Sequence, residues 1–304
     1  LTVNARTDAS SKFGANHKWG FFPSVSAAWN VSSEQFMKQI TWIDNLKLRL
    51  GYGLAGNQGG IDSYTTMNLV RPNGVAPVGN SPVVTYETLR NINPDLKWEV
   101  KHTFNAGFDV GFYGNRLLLS VNYYNSKTTD MLYNYRVSVP PFTYNTLLAN
   151  IGSMRNSGTE ISVGITPLKT KDMELNINAN ITFQKNKLLS LNGMYNGEYI
   201  SASEYTVIAG LDGAGFHGGY NNIVYQIVGQ PLNIYYYYEA DGCWGVGEFE
   251  TYKADWEASH PGKTLDFPEA NSTTGDVKIV DRNDDGKITD DDKRVYDRSP
   301  KCIL

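Results

Sequence analysis

The chain has 304 residues, a formal net charge of -4, 41% hydrophobic and 19% charged residues, 20 tyrosines and 29 glycines, a stock of aromatics and turn formers that favours β-structure over helix. The acidic balance, with no Lys/Arg cluster interleaved with aromatics, excludes a nucleic-acid-binding surface, and the two distant cysteines, Cys243 and Cys302, imply neither a disulfide framework nor a zinc site. No apolar run reaches the 18 or so residues of a membrane helix, but a β-barrel shows lipid only alternate residues of each strand and escapes that test.

In chain order, the N-terminal LTVNARTDAS carries no signal-peptide pattern and opens inside what reads as a strand, residues 1–7, so the chain is expected to be a fragment. Residues 21–31 follow as a second strand, and Ser33 as the cap of a short helix. Residues 44–53 alternate cleanly, with Leu46, Leu48, Leu50 and Tyr52 opposite Asn45, Lys47, Arg49 and Gly51. Residues 98–112 do the same at greater length, with His102 the single polar intruder on the apolar face. Further strands are expected at 116–124, 158–166 and 173–183. The last sets Met173, Leu175, Ile177, Ala179, Ile181 and Phe183 against Glu174, Asn176, Asn178, Asn180 and Thr182, a division suited to a wall between oil and water. That makes seven strands by residue 186.

Their links alternate in length. Those at 113–115 and 167–172 are short, whereas those at 54–97, 125–157 and from 187 onward are long, as in outer-membrane barrels with short periplasmic turns and long external loops. Residues 1–186 are therefore expected to form a partial transmembrane barrel. Residues 187–304 read as an extracellular loop region with one inserted strand at about 223–239.

Seven segments carry a family likeness: RTDASSKFG (6–14), KWGFFPSVSAAW (18–29), LKLRLGYGLAGNQ (46–58), LKWEVKHTFNAGFD (96–109), VNYYNSKTTDML (121–132), NIGSMRNSGTE (150–160) and GDVKIVDRNDDGKITDDDKR (275–294). Together and in this order they make the chain resemble the mid-to-late barrel of SusC/RagA TonB-linked outer-membrane proteins of Bacteroidetes. The resemblance implies an all-β, antiparallel transmembrane barrel segment, about seven strands of a 22-stranded barrel. It also implies a multi-pass bacterial outer-membrane location and TonB-dependent import of oligosaccharides or peptides. The implied partners are a SusD-like surface lipoprotein, TonB and outer-membrane lipid. The alternative is a non-transporting surface β protein, such as an adhesin or a carbohydrate-binding module. Gly51, Gly53 and Gly56 are expected to leave room at a strand end, and Trp98 and Tyr123 to lie at the membrane interface.

No catalytic residues are expected. His17, His102, His217 and His260 are scattered without partners at metal or triad spacing, and no GxSxG, HExxH or phosphate-loop motif occurs. Glu99, Lys101, Asp109, Glu160 and Glu174 fall on the lumen face by alternation, where they would line a substrate path or pair with one another as hydrated wall residues. Tyr235, Tyr236, Tyr237 and Tyr238 form an aromatic run that would either stack on sugars or pack into its own sheet. No cofactor is required, but residues 281–292, DRNDDGKITDDD, match a calcium-loop spacing. Asp281, Asn283 and Asp285 stand at alternate positions, Gly286 at the turn, Lys287 offers its carbonyl and Asp292 closes the loop. The competing reading is an Asp/Asn-rich turn bonded to its own backbone.

Overall fold

The computed structural model describes residues 1–201, 205–210, 222–297, 299–300 and 302–303. His217 lies outside them. The described chain forms two compact units, one of Leu1–Ser203 with Pro300–Leu304 and one of Glu204–Ser299.

The first unit is built on β1 (Thr2–Ala9), β2 (Trp19–Asn30) and β3 (Ile43–Asn57), then a hairpin of β4 (Val70–Val78) and β5 (Ser81–Thr88), then β6 (Glu99–Phe112), β7 (Leu117–Arg136), β8 (Thr146–Lys169) and β9 (Glu174–Ser190). Seven of these make one antiparallel sheet in the order β1-β2-β3-β6-β7-β8-β9, with β4 and β5 paired only to each other. Within the sheet each strand pairs with its neighbours in the meander, and among the described residues of this unit no second sheet covers either face. The registers set Leu46 against Val110, Val110 against Leu119, Leu119 against Val163 and Val163 against Ala179. One face is therefore apolar row upon row. It is also bare: Leu50, Phe104, Ile177 and Phe183 are all exposed. A soluble sheet would bury such a face under another layer, whereas a membrane wall leaves it to lipid.

Alternation fixes which residues point together, and the strands run further than alternation shows. Residues 125–136 and 146–157 belong to β7 and β8, although the sequence pattern read residues 125–157 as a loop. The apolar band of an outer-membrane strand needs only about 9–11 residues. Beyond it strict apolar–polar alternation is no longer required: Tyr135, Leu147 and Ala149 are buried there while Lys127 and Arg155 are exposed, so backbone pairing continues after the alternating signal has stopped. At the other end, Tyr113, Gly114 and Asn115 all take positive φ in the tight β6–β7 turn. Residues 31–42 hold two short 3-10 turns whose N-caps are Asn30 and Glu34, without a side-chain cap from Ser33.

The long links gather at the opposite end, where a small core of Phe13, Phe22, Ile61, Leu96 and Trp98 closes over the sheet. Trp98 is 8% exposed, packs 4.8 Å from Phe13 and 5.5 Å from Phe22, and donates its indole N–H to the Lys18 carbonyl at 3.1 Å. Tyr123 is exposed on the apolar face, whereas Trp98, expected at the membrane interface, is buried in this core. Trp98 precedes β6, so strand alternation does not govern it. Two glycines are required here: a Cβ on Gly14 would lie 1.6 Å from the Pro94 carbonyl oxygen, and one on Gly56 would lie 2.1 Å from the Phe22 ring.

Beyond Ser190, β10 (Asn192–Tyr195) and β11 (Glu198–Ser201) form a hairpin. The second unit follows, with β12 (Tyr205–Gly210), β13 (Asn222–Ile227), β14 (Ile234–Tyr237), β15 (Ala240–Cys243), helix α1 (Glu248–Ser259), β16 (Val277–Ile279) and β17 (Arg294–Tyr296). Residues 223–239, read from sequence as one strand, are two paired strands, β13 and β14. Gly229, at φ 88°, turns the chain between them, and Pro231 follows. The chain then returns to the first unit, where Ile303 pairs with Thr182 on the free edge of β9.

Candidate functional site: the polar wall and the acidic loop

The polar face of the seven-stranded sheet carries a concavity of about 670 Å³ lined by Arg49, Lys101, Asn105, Asn122, Tyr124 and Glu160 among others. Its floor is a bonded network. Arg49 lies 2.8 Å from Asp109 and donates to Asn122 at 2.7 Å, while Ser120 donates to the same Asp109 oxygen at 2.7 Å. Five strands, β2, β3, β6, β7 and β8, supply the wall, and the odd–even alternation places its polar side chains together.

The five lumen-face charges divide into two kinds. Asp109 pairs with Arg49, and Glu174 with Lys169 at 3.4 Å beside the β8–β9 turn. Lys101 and Glu160 face the concavity, and among the described residues neither they nor Glu99 takes part in an ion pair within 4.0 Å. Among the described residues, the arrangement offers a polar lining with one unpaired cation, Lys101, and one unpaired carboxylate, Glu160. It supplies hydrogen bonds and charge to a passing solute, and no nucleophile–base pair.

Three asparagines that the sequence reading passed over fix the long-loop end. Asn91 donates to the Tyr144 and Thr146 carbonyls and accepts from the Thr143 and Tyr144 amides. Asn93 donates to the Leu148 carbonyl, and Asn150 bridges the Lys97 amide and carbonyl and the Asp130 carbonyl. Each side chain replaces missing strand partners, stitching residues 90–98 to the first residues of β8. Only the two asparagines of RNINPD, Asn91 and Asn93, hint at this in the sequence. Replacing Asn150 with alanine strands three backbone groups, and is expected to loosen this end by about 1–3 kcal/mol for each one that water cannot reach. Faster hydrogen exchange at residues 90–98 and 146–150, with β3 and β6 unchanged, is the expected readout.

In the second unit the tyrosine run is half-buried. Tyr237 stacks on Tyr296 at 4.4 Å, Tyr235 meets Tyr237 edge-on, and Tyr236 packs against Tyr225. The Tyr236 hydroxyl donates to the Asp290 carbonyl, and that of Tyr238 to the Asp290 carboxylate. These contacts are those of rings packing their own sheet.

The acidic loop docks on α1. The Trp256 indole donates to Asp284 at 2.6 Å, and the ring stacks on His260 at 4.2 Å. His260 Nε2 reaches the other Asp284 oxygen at 3.1 Å. The Trp256 bond, followed by the nearby His260, holds the Asp284 carboxyl below its usual range. Gly286 is at φ 84°, and a Cβ there would lie 2.6 Å from the Trp256 ring. Asp281 accepts from the Gly286 amide at 2.8 Å. Asp292, fully buried, accepts from the Arg282 amide at 2.9 Å and the Thr289 amide at 2.7 Å. Asn283 donates to Asp285, which accepts from the Lys287 amide. Burial raises the Asp281 carboxyl, with a further push from Asp292. No group of three or more His, Cys, Asp or Glu side chains able to hold a metal ion occurs among the described residues.

Comparisons with known proteins bear on the whole chain. Residues 1–282 match the model of the TonB dependent receptor-like β-barrel family. The TonB-dependent receptor SusC of Bacteroides thetaiotaomicron is 30% identical over 100% of the chain, and the TonB-dependent receptor P26 of Formosa agariphila 33% identical over 97%. The chain spans 27% of the length of each. The structure of the RagAB peptide importer in the open-open state matches 99% of the chain with a TM-score of 0.68 at 23% identity, the chain covering 28% of that protein.

Proposed function

Because the chain belongs to the TonB-dependent receptor-like β-barrel family, we propose that it forms part of the wall of an outer-membrane importer. In this reading the importer takes up oligosaccharides or peptides with TonB and a SusD-like surface lipoprotein. The observation that carries this is the pairing of a bare apolar face with a hydrated, concave polar face on one meandering antiparallel sheet. The polar face lines the path and the long-loop end faces outward, where the lipoprotein docks. The substrate class rests on relatives described as a peptide importer and as SusC.

Sidedness tests the reading. Cysteine placed at Asn73 in the β4–β5 hairpin, in the full-length protein with the exposed Cys243 and Cys302 changed to serine, is expected to react with an impermeant thiol reagent on intact cells. Cysteine at Asn115, in the tight β6–β7 turn, is expected to react only after the outer membrane is opened. Equal labelling on intact cells would reverse or dissolve the proposed orientation.

For residues 281–292 we infer a self-bonded turn that needs no ion, since the carboxylates of Asp281, Asp285 and Asp292 all accept backbone amides. Asp292→Ala strands two amides, a loss of about 1–3 kcal/mol for each that stays buried. The variant is expected to become protease-sensitive at the loop equally in chelator and in about 1 mM calcium, the range of weak extracellular sites. Protection of the unmodified protein by calcium alone would restore the metal reading. The lowered Asp284 carboxyl gives the docking of this loop a pH dependence. A depressed folded value stabilises above the unfolded pKa and is lost as pH falls through the folded one. The hold of this loop on Trp256 is therefore expected to be full at neutral pH and to weaken only as pH falls below the ordinary carboxylate range.

A further inference from the structure

At the long-loop end of the apolar face the outward positions turn basic in register. His102 pairs with Lys127, Lys127 with Arg155, and Arg155 with Lys187, on four successive strands. Lys185 lies two residues before Lys187 on the same face. Lys127, Arg155, Lys185 and Lys187 are exposed, and none takes part in an ion pair within 4.0 Å among the described residues. Like charges directly opposite one another on neighbouring strands repel. Here Lys127–Arg155 and Arg155–Lys187 are two such pairs side by side. The lumen face of the same sheet shows the usual remedy, with Asp109 opposite Lys47 and paired diagonally with Arg49. On the outward face the facing and flanking strand positions hold Asn125, Thr129, Ser153 and Ser157, with no carboxylate among them.

Just below this row, on the same face, lie Phe104, Tyr123 and Phe183, all exposed. An occupant that satisfies both levels has hydrocarbon below and anionic oxygen above. We propose that this strip docks a phosphate-bearing lipid of the leaflet at the long-loop end. Its acyl chains lie along the Phe104, Tyr123 and Phe183 rows, and its headgroup phosphate is gripped by Arg155 between Lys127 and Lys187. A guanidinium presents two parallel N–H donors to a phosphate, and the flanking lysines, on strands about 5 Å to either side, complete the cradle. The proposal rests on the membrane-wall reading above, with charge complementarity as its own independent support.

The test uses the full-length protein in detergent, offered an equal mixture of a monophosphorylated lipid A and the same lipid after phosphatase treatment, with retained lipid read by native mass spectrometry. The phosphorylated form is expected to be retained roughly 10- to 100-fold over the dephosphorylated one, the scale of two or three basic side chains at a charged surface. A Lys127→Gln, Arg155→Gln, Lys187→Gln variant, which still folds by the heat-modifiable gel shift of a barrel, is expected to bring the two to parity. Lys127→Arg is expected to keep the preference. A preference that survives the triple substitution overturns the proposal, as does displacement of the lipid by inorganic phosphate at equal concentration, which would mark a site for the free ion. Equal retention of both lipids by the unmodified protein also overturns it while leaving the membrane wall intact. A protein that stays soluble without detergent and retains neither lipid overturns the wall reading itself.

Discussion

Val121→Arg is expected to destabilise the barrel by about 2–4 kcal/mol, the range for a cation facing lipid near the bilayer midplane. Val121 pairs with Phe108 on one side and Ile161 on the other, in the middle of the bare apolar face, so its replacement has neither water nor a carboxylate within reach. Asn105→Arg, on the concave polar face of β6, is expected to change stability by less than about 0.5 kcal/mol, as for an ordinary hydrated surface position. Urea midpoints of the two full-length variants in lipid vesicles provide the comparison. An inversion of the two effects would exchange the faces, and equal small effects would remove the membrane from the argument.

Trp98→Ala is expected to cost about 3–5 kcal/mol, felt at the long-loop end alone. The substitution empties the centre of the Phe13, Phe22, Ile61 and Leu96 cluster, and it leaves the Lys18 carbonyl without its indole donor. The hydrogen bonds of β3, β6 and β7 through the apolar band lie outside this cluster. Limited proteolysis on intact cells is expected to cut the loops at 10–18 and 58–69 while the barrel keeps its anomalous gel mobility. Trp98→Phe, which keeps most of the packing and loses the donor, is expected to give a loss of about 1–2 kcal/mol. A variant with uncut loops would show that the asparagine stitching alone holds this end.

The sheet was legible in the amino-acid sequence wherever one face had to meet hydrocarbon. Leu46 to Tyr52, Phe104 to Phe112 and Met173 to Phe183 alternate because lipid admits no exceptions there, and those positions face one way in the structure. The pattern failed where that demand ends. Residues 125–136 are strand without strict alternation, mixing Lys127 and Asp130 with Met131, Leu132 and the buried Tyr135, which periodicity cannot separate from loop. Trp98 precedes its strand, and its aromatic character suits an interface as well as a core. In the stretch 223–239 the periodicity ran on across Gly229, and only tertiary pairing shows the hairpin. The lumen face was visible as a set of charges, but the choice of Arg49 for Asp109 depends on two strands meeting in one register, which no local pattern encodes. The basic strip was hidden for the same reason: Lys127, Arg155 and Lys187 are far apart in sequence, and each is unremarkable alone.

The length of β8 has a consequence for whatever assembles on this wall. Residues 146–156 lie in the part of the 24-residue strand beyond the apolar rows. At about 3.3 Å per residue and a tilt of about 40°, they lift the rim roughly 25–30 Å above those apolar rows. A partner held to the membrane by an acylated terminus and seated on that rim must bridge this gap with its own chain. At about 3.3–3.6 Å per extended residue, the tether needs at least eight or so residues before its folded part begins. A shorter one would draw the partner down against the flank of the barrel, so the height of a strand sets a minimum length on a different polypeptide.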